Sequence, residues 1–124
     1  MWNIDYSYIE DWLDGLDDET VAHIFAALEV LEAEGPALGR PLVDTIKGTT
    51  YSNLKELRPA SSGSTVVRIL FAFDPKRNAI MLLGGDKSEG RSANRKWSGW
   101  YKQAIPAAEE IYEKHLREIG ESHE

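Results

Sequence analysis

The spacing of apolar positions changes period along the chain. Trp2, Ile4 and Tyr6 alternate with Asn3 and Asp5, the period of a short half-buried strand. Ile9, Trp12, Leu13 and Leu16 then fall at i, i+3, i+4 and i+7, a short amphipathic helix that Ser7 and Glu10 would open as a capping box. Asp17, Asp18 and Glu19 suit the start of a second helix, where the dipole favours acids. Val21, Ile24, Phe25, Leu28 and Leu31 form its apolar stripe, and Gly35-Pro36 stops it. Residues 36–53 carry Pro36, Gly39, Pro41 and Gly48 and read as loop. The period then becomes two. Leu54 to Arg58 is a strand, residues 59–64 a turn, Thr65 to Phe73 a central strand, and residues 74–78 another turn. Ala79 to Leu83 is the last strand, closed by Gly84-Gly85, and the polar stretch from Ser88 to Lys96 reads as loop. Pro106 fits the first turn of a final helix with Ala108, Ile111, Tyr112, His115 and Ile119 on its apolar side.

The order β-α-α-β-β-β-α predicts a single α+β domain over residues 1–124, with a polar tail after about residue 119. Helices would lie on one face of a small, mostly antiparallel sheet. The other face need not be covered, and an open face carrying bases would suit the docking of a partner.

Composition narrows the function. The chain has 124 residues and no Cys, which excludes a disulfide scaffold, thiolate metal sites and cysteine catalysis. No H-x-x-x-H or H-E-x-x-H spacing is present, so no metal and no cofactor is expected. No apolar run is long enough for a membrane span, and the N-terminus has neither a basic nor an apolar signal region; a cytoplasmic location with no membrane partner is the expectation. The formal net charge of −7 hides a split. Residues 1–53 carry a net −9, residues 54–102 a net +6 and residues 103–124 a net −4. Binding follows local potential, so the basic middle can face a polyanion although the total is acidic.

The candidate chemistry lies in that middle. Alternation in Leu54-Lys55-Glu56-Leu57-Arg58 sends Lys55 and Leu57 to one face, Glu56 and Arg58 to the other. Arg68 interrupts the apolar run Val66-Val67-Arg68-Ile69-Leu70; it must meet water, a ligand or a partner such as Glu56 across the hairpin. An even register sum between the two strands would put Arg58 and Arg68 on one face. A bulge at Gly84-Gly85 would re-aim Lys87 toward Arg68. Arg91, Arg95 and Lys96 interleave with Trp97, Trp100 and Tyr101, a mixture that grips phosphates and stacks on bases. The i, i+3, i+4 spacing of these aromatics favours the other reading for at least two of them, as core residues of the last helix.

The segments NLKELR (53–58), VVRILFAFDPKRNAIMLLGGDK (66–87) and WSGWYKQAIPAAEEIYEKHL (97–116), with LEAEGPALGRPLVDTIKG (31–48) upstream, resemble the RelE/ParE superfamily of bacterial toxins, and within it the phage-derived HigB-like branch. The resemblance implies a RelE-like fold, an antiparallel sheet with two N-terminal helices and one C-terminal helix. It implies the toxin of a type II toxin-antitoxin pair: a metal-independent endoribonuclease that cuts mRNA on the ribosome. Its partners would be mRNA, the ribosome and a helix-turn-helix, HigA-like antitoxin, with operator DNA bound only through that antitoxin. Carried over by position, Arg58 and Arg68 bind phosphate, Lys55 or Glu56 is the base, and Lys87 is the acid or a further phosphate binder. Arg91, Arg95, Lys96 and Tyr101 extend the RNA surface. Two other readings stay open: a ParE-type gyrase inhibitor that cuts no RNA, and a degenerate, non-catalytic binder.

Overall fold

The computed structural model describes residues 1–60, 66–86 and 93–121, the side chains of 93–98 and 121 excepted. In chain order the elements are β1 (Asn3–Asp5), α1 (Glu10–Asp14), α2 (Asp18–Glu34), β2 (Val43–Thr45), β3 (Leu54–Leu57), β4 (Val67–Phe73), β5 (Asn78–Asp86) and α3 (Ala93–Glu121). The strands form one sheet in the order β1-β5-β4-β3-β2. Strands β2 to β5 pair antiparallel, whereas β1 lies parallel to β5. The fold is the expected α+β arrangement, with β4 at its centre.

Strand β4 explains the layering. Apart from Arg68 its side chains are apolar on both faces, so the sheet must be covered twice. On one face Val67, Ile69 and Phe71 pack with Ala79 and Met81 against Ile9, Leu13, Ile24, Leu28 and Leu31 of the N-terminal helical segment. On the other, Leu70 and Ala72 pack with Leu54, Ile80 and Leu82 against Ala104, Ile105, Ala108 and Tyr112 of α3. The expectation of an open sheet face is therefore corrected: α3 lies across it. Fully burying each of these large side chains contributes about 1.5–3 kcal/mol.

Other local expectations shift for identifiable reasons. The region read as loop holds β2, a three-residue edge strand too short to show a period, paired through Val43–Leu57 and Thr45–Lys55. The capping box does not form, because Asp5 Oδ1 accepts from both the Ser7 amide (3.0 Å) and the Ser7 hydroxyl (2.7 Å) and holds Ser7–Ile9 in a 3-10 turn. Helix α2 starts as expected, with Asp17 capping the Thr20 amide, and ends at Gly35, whose φ of 60° suits a residue without Cβ. Helix α3 begins at Ala93, inside the stretch read as loop, so Pro106 stands within the helix and not in its first turn. Pro106 and Lys102, whose carbonyl loses its helical donor, are both exposed residues, which limits the cost.

Gly84 and Gly85 do not make a bulge. The irregularity falls between Leu70 and Phe71, opposite Met81–Leu83. The two glycines instead admit two indoles on opposite faces of β5: a Cβ on Gly84 would lie 2.3 Å from Trp12, and one on Gly85 would lie 2.3 Å from Trp100. Both contacts are ring to backbone, so neither can relax cheaply. Gly84→Ala is expected to lower the unfolding free energy by about 1–3 kcal/mol, the usual range for overpacking; urea unfolding that leaves the midpoint unchanged would refute the close packing of Trp12.

Candidate functional site

Strands β3 and β4 set the geometry. Leu54 pairs with Ala72 and Glu56 with Leu70; the same register carried one step further puts Arg58 opposite Arg68. The even register that places the two arginines on one face is thus present. That face is the one under α3, because Leu54, Leu70 and Ala72 all pack there. Arg68 pairs across the sheet with Gly85, directly beside the Trp100 indole.

Glu56 is the deepest charge of the group, only 3% exposed. A carboxylate so placed needs hydrogen bonds to every oxygen. Oε1 accepts from Arg58 Nε at 2.9 Å, and Oε2 accepts from the Tyr101 hydroxyl of α3. Arg58 also reaches Asp44 Oδ2 of β2 at 3.7 Å, where Arg40 Nη2 sits at 3.1 Å. Burial first, then the bond to Glu56, pushes the Tyr101 phenol well above the ordinary tyrosine range; Arg68 and Arg58 oppose that shift, which places both cations in its field. Asp44 is held below the usual carboxylate range, chiefly by its bond from Arg40. Arg68 donates to the Val67 carbonyl at 2.9 Å.

The structure therefore brings together Glu56, Arg58, Arg68 and Tyr101. Lys55 is on the opposite face, in a small cleft of about 170 Å³ with Leu38, Val43 and Phe73, as alternation requires. Lys87 and Arg91 lie outside the described residues. Arg95 and Lys96 fall on the first turns of α3, and their side chains are not described. Trp100 and Tyr101 serve both readings: each is half-buried against the α3 core, and Tyr101 keeps its hydroxyl on the charged cluster.

An open groove of about 670 Å³ extends from this cluster between α3 and the segment after β2. Ile46, Ile105 and Pro106 line it together with Arg40, Lys47, Arg58 and Lys102. The sequence singled out neither Lys47 nor Lys102, since neither stands in a patterned strand; Lys102 follows Tyr101 directly, which was the available signal.

The far end of α3 is closed. Asp74, 4% exposed, accepts from the amides of Lys76 (2.9 Å) and Asn78 (2.8 Å) and bonds His115 Nε2 at 2.9 Å. His115 is fourteen residues beyond Tyr101, roughly 21 Å along the helix, and so is structural. Among the described residues no group of three or more His, Asp or Glu is arranged to hold a metal ion. Among the same residues no helix is long and apolar enough to cross a membrane.

Residues 11–113 match the family described as phage-derived Gp49-like proteins. The chain belongs to that family, in the HigB-like branch that the sequence resembles. It is 53% identical over 121 residues to a Mycobacterium tuberculosis protein that bears the name toxin HigB2; the match covers 98% of this chain and 57% of that protein. It is 46% identical over 108 residues to another from the same organism, named toxin HigB3, with 87% of each chain covered. The chain thus spans little more than half the length of the first relative.

The Tyr101–Glu56 bond has a measurable consequence. A phenol with a raised pKa adds stability that is fully present below the ordinary tyrosine value near 10 and is lost as pH rises toward the folded value. Tyr101→Phe is expected to cost about 1.5–3 kcal/mol at neutral pH, as loss of a donor to a buried carboxylate does. It is also expected to weaken the alkaline fall in stability. Equal losses between pH 7 and 11 in the variant and the parent, measured by urea unfolding, would contradict the bond.

Proposed function

We propose that the chain is the toxin of a type II toxin-antitoxin pair and acts as a metal-independent endoribonuclease on mRNA, with the ribosome as its setting. A cognate antitoxin, HigA-like and of the helix-turn-helix class, neutralises it and is the route to operator DNA. The family membership and the toxin names of two relatives support the toxin role. The single observation that carries the enzymatic reading is the convergence of Arg58 and Arg68 on one face, around a buried Glu56–Tyr101 pair.

That arrangement suits cleavage by the RNA's own 2′-hydroxyl. The 2′-oxygen attacks the adjacent phosphorus, and a bond to the 5′-oxygen breaks, leaving a 2′,3′-cyclic phosphate and a 5′-hydroxyl. The phosphorane gains negative charge, which two guanidiniums on one face stabilise. Of the two candidate bases, Lys55 faces the other side of the sheet, which favours Glu56. Glu56 is buried beneath Tyr101, so the phenol passes the proton: it takes the 2′-hydroxyl proton as it gives its own to the Glu56 carboxylate. A phenol held un-ionised by its surroundings stays competent for that relay near neutral pH. The leaving 5′-oxygen takes a proton from a further acid, for which Lys87 is the candidate from sequence.

The test is to induce the chain in a bacterial host and map new RNA 5′ ends. Cuts bearing 5′-hydroxyls are expected, and Arg68→Ala is expected to lower their rate by about 10²–10³-fold, the scale of losing one transition-state donor. Growth arrest without new 5′ ends would overturn the nuclease and favour a gyrase-directed toxin. Full cleavage by folded Arg68→Ala would overturn the site.

A further inference from the structure

The groove beside the charged cluster has a composition that the cleavage chemistry leaves unexplained. Its lining includes four cations, Arg40, Lys47, Arg58 and Lys102, and three carboxylates, Asp44, Glu56 and Glu109. Each carboxylate is already engaged within the protein. Asp44 holds Arg40 and Arg58, and Glu56 holds Arg58 and Tyr101. Glu109 accepts from the Thr49 hydroxyl at 2.6 Å and the Thr50 amide at 3.0 Å, bonds that hold its carboxyl below the usual range. Lys47 and Lys102 differ: both are exposed, and neither has an ion pair or hydrogen bond among the described residues. They stand on opposite walls, one after β2 and one on α3, with Ile46, Ile105 and Pro106 between.

An apolar strip between two uncommitted ammonium groups suits a flat, anionic ligand. The groove is continuous with Arg58 and Tyr101, so a strand held at the cluster runs directly into it. We propose that this groove binds the nucleotide flanking the scissile phosphate of a single-stranded RNA, with its base on Ile46, Ile105 and Pro106 and its phosphate between Lys47 and Lys102. Stacking on an apolar surface and phosphate pairing are the usual means of holding single strands. The groove thereby contributes to substrate affinity and to preference at that position. This inference rests on the nuclease reading above.

The test uses the full chain and a synthetic single-stranded RNA with 2′-deoxyribose at the cut position, so that binding is read without cleavage. Fluorescence anisotropy across a salt series gives affinity and salt slope. Each phosphate neutralised on a single strand adds about 0.7 to the slope of log K against log salt, so Lys47→Glu with Lys102→Glu, which removes the one phosphate site between them, is expected to lower it by about 0.7. Affinity at low salt is expected to fall by about tenfold or more. Lys47→Arg with Lys102→Arg is expected to retain both. Lys76→Glu with Lys114→Glu makes the same change in net charge away from the groove and is expected to leave the slope near the parent's. An abasic site at the flanking nucleotide is expected to weaken binding to the parent protein.

A double Glu variant indistinguishable from the Lys76/Lys114 control would overturn the groove as a nucleotide site. So would unchanged affinity for the abasic RNA. Failure of the underlying reading looks different: the parent protein itself would neither bind this RNA nor generate 5′-hydroxyl ends. Binding and cleavage by the parent that persist in the Lys47/Lys102 variant would remove the groove inference alone.

Discussion

A single buried carboxylate organises the functional end of the molecule. Glu56 enters the interface between β3 and α3 at 3% exposure, where an uncompensated charge would cost several kcal/mol. Its oxygens are satisfied from two directions, by Arg58 along its own strand and by Tyr101 from the helix above. The constraint is reciprocal. Tyr101 can serve Glu56 only if the N-terminal half of α3 lies low on the sheet, and Gly85 permits that approach by giving the Trp100 indole room on β5. The register of β3 and β4 then brings Arg68 to the same place.

The two ends of α3 are built differently. Toward its C-terminus Tyr112 accepts from Asn53 at 2.5 Å, Tyr51 donates to Glu113 at 2.6 Å, and His115 bonds Asp74 beneath the β4–β5 turn. These polar contacts close that end around apolar packing by Leu54, Ala72 and Ile80. Toward Tyr101 the apolar contacts give way to charged groups, and the open groove begins where Lys102 and Pro106 leave the sheet. The helix is thus fastened at the end away from the site and leaves Trp100, Tyr101 and Lys102 beside the sheet's cations.

Much of this was legible in the chain. The switch from helical to two-residue periodicity located α2, β3, β4 and β5, and alternation assigned Glu56 and Arg58 to one face and Lys55 to the other. Arg68 inside an apolar strand pointed to the site because charge is costly there. Two features were not legible, and two more were legible only in part. Strand β2 is three residues long and owes its existence to pairing with β3, which no local pattern records. The early start of α3 was hidden by polar residues and by Pro106, whose local preference for a first turn is overridden by the packing of Ala104, Ile105 and Ala108 on the sheet. The covering of both sheet faces was hinted at by the apolar residues that follow Arg68 on both faces of β4, and the open-face expectation gave them too little weight. The Gly84-Gly85 pair could be recognised as special, but only the positions of Trp12 and Trp100 show that it serves close packing on two faces.

The central claim is that Glu56, through Tyr101, holds the N-terminal half of α3 on the sheet. Hydrogen exchange on Glu56→Ala tests it directly. Faster exchange is expected in the amides of Trp100 to Ala104, while those of Tyr112 to Leu116, near the Asp74–His115 pair, keep the parent's protection. Unchanged exchange at Trp100 to Ala104 in the folded variant would contradict the claim, as would a uniform loss of protection along the whole helix.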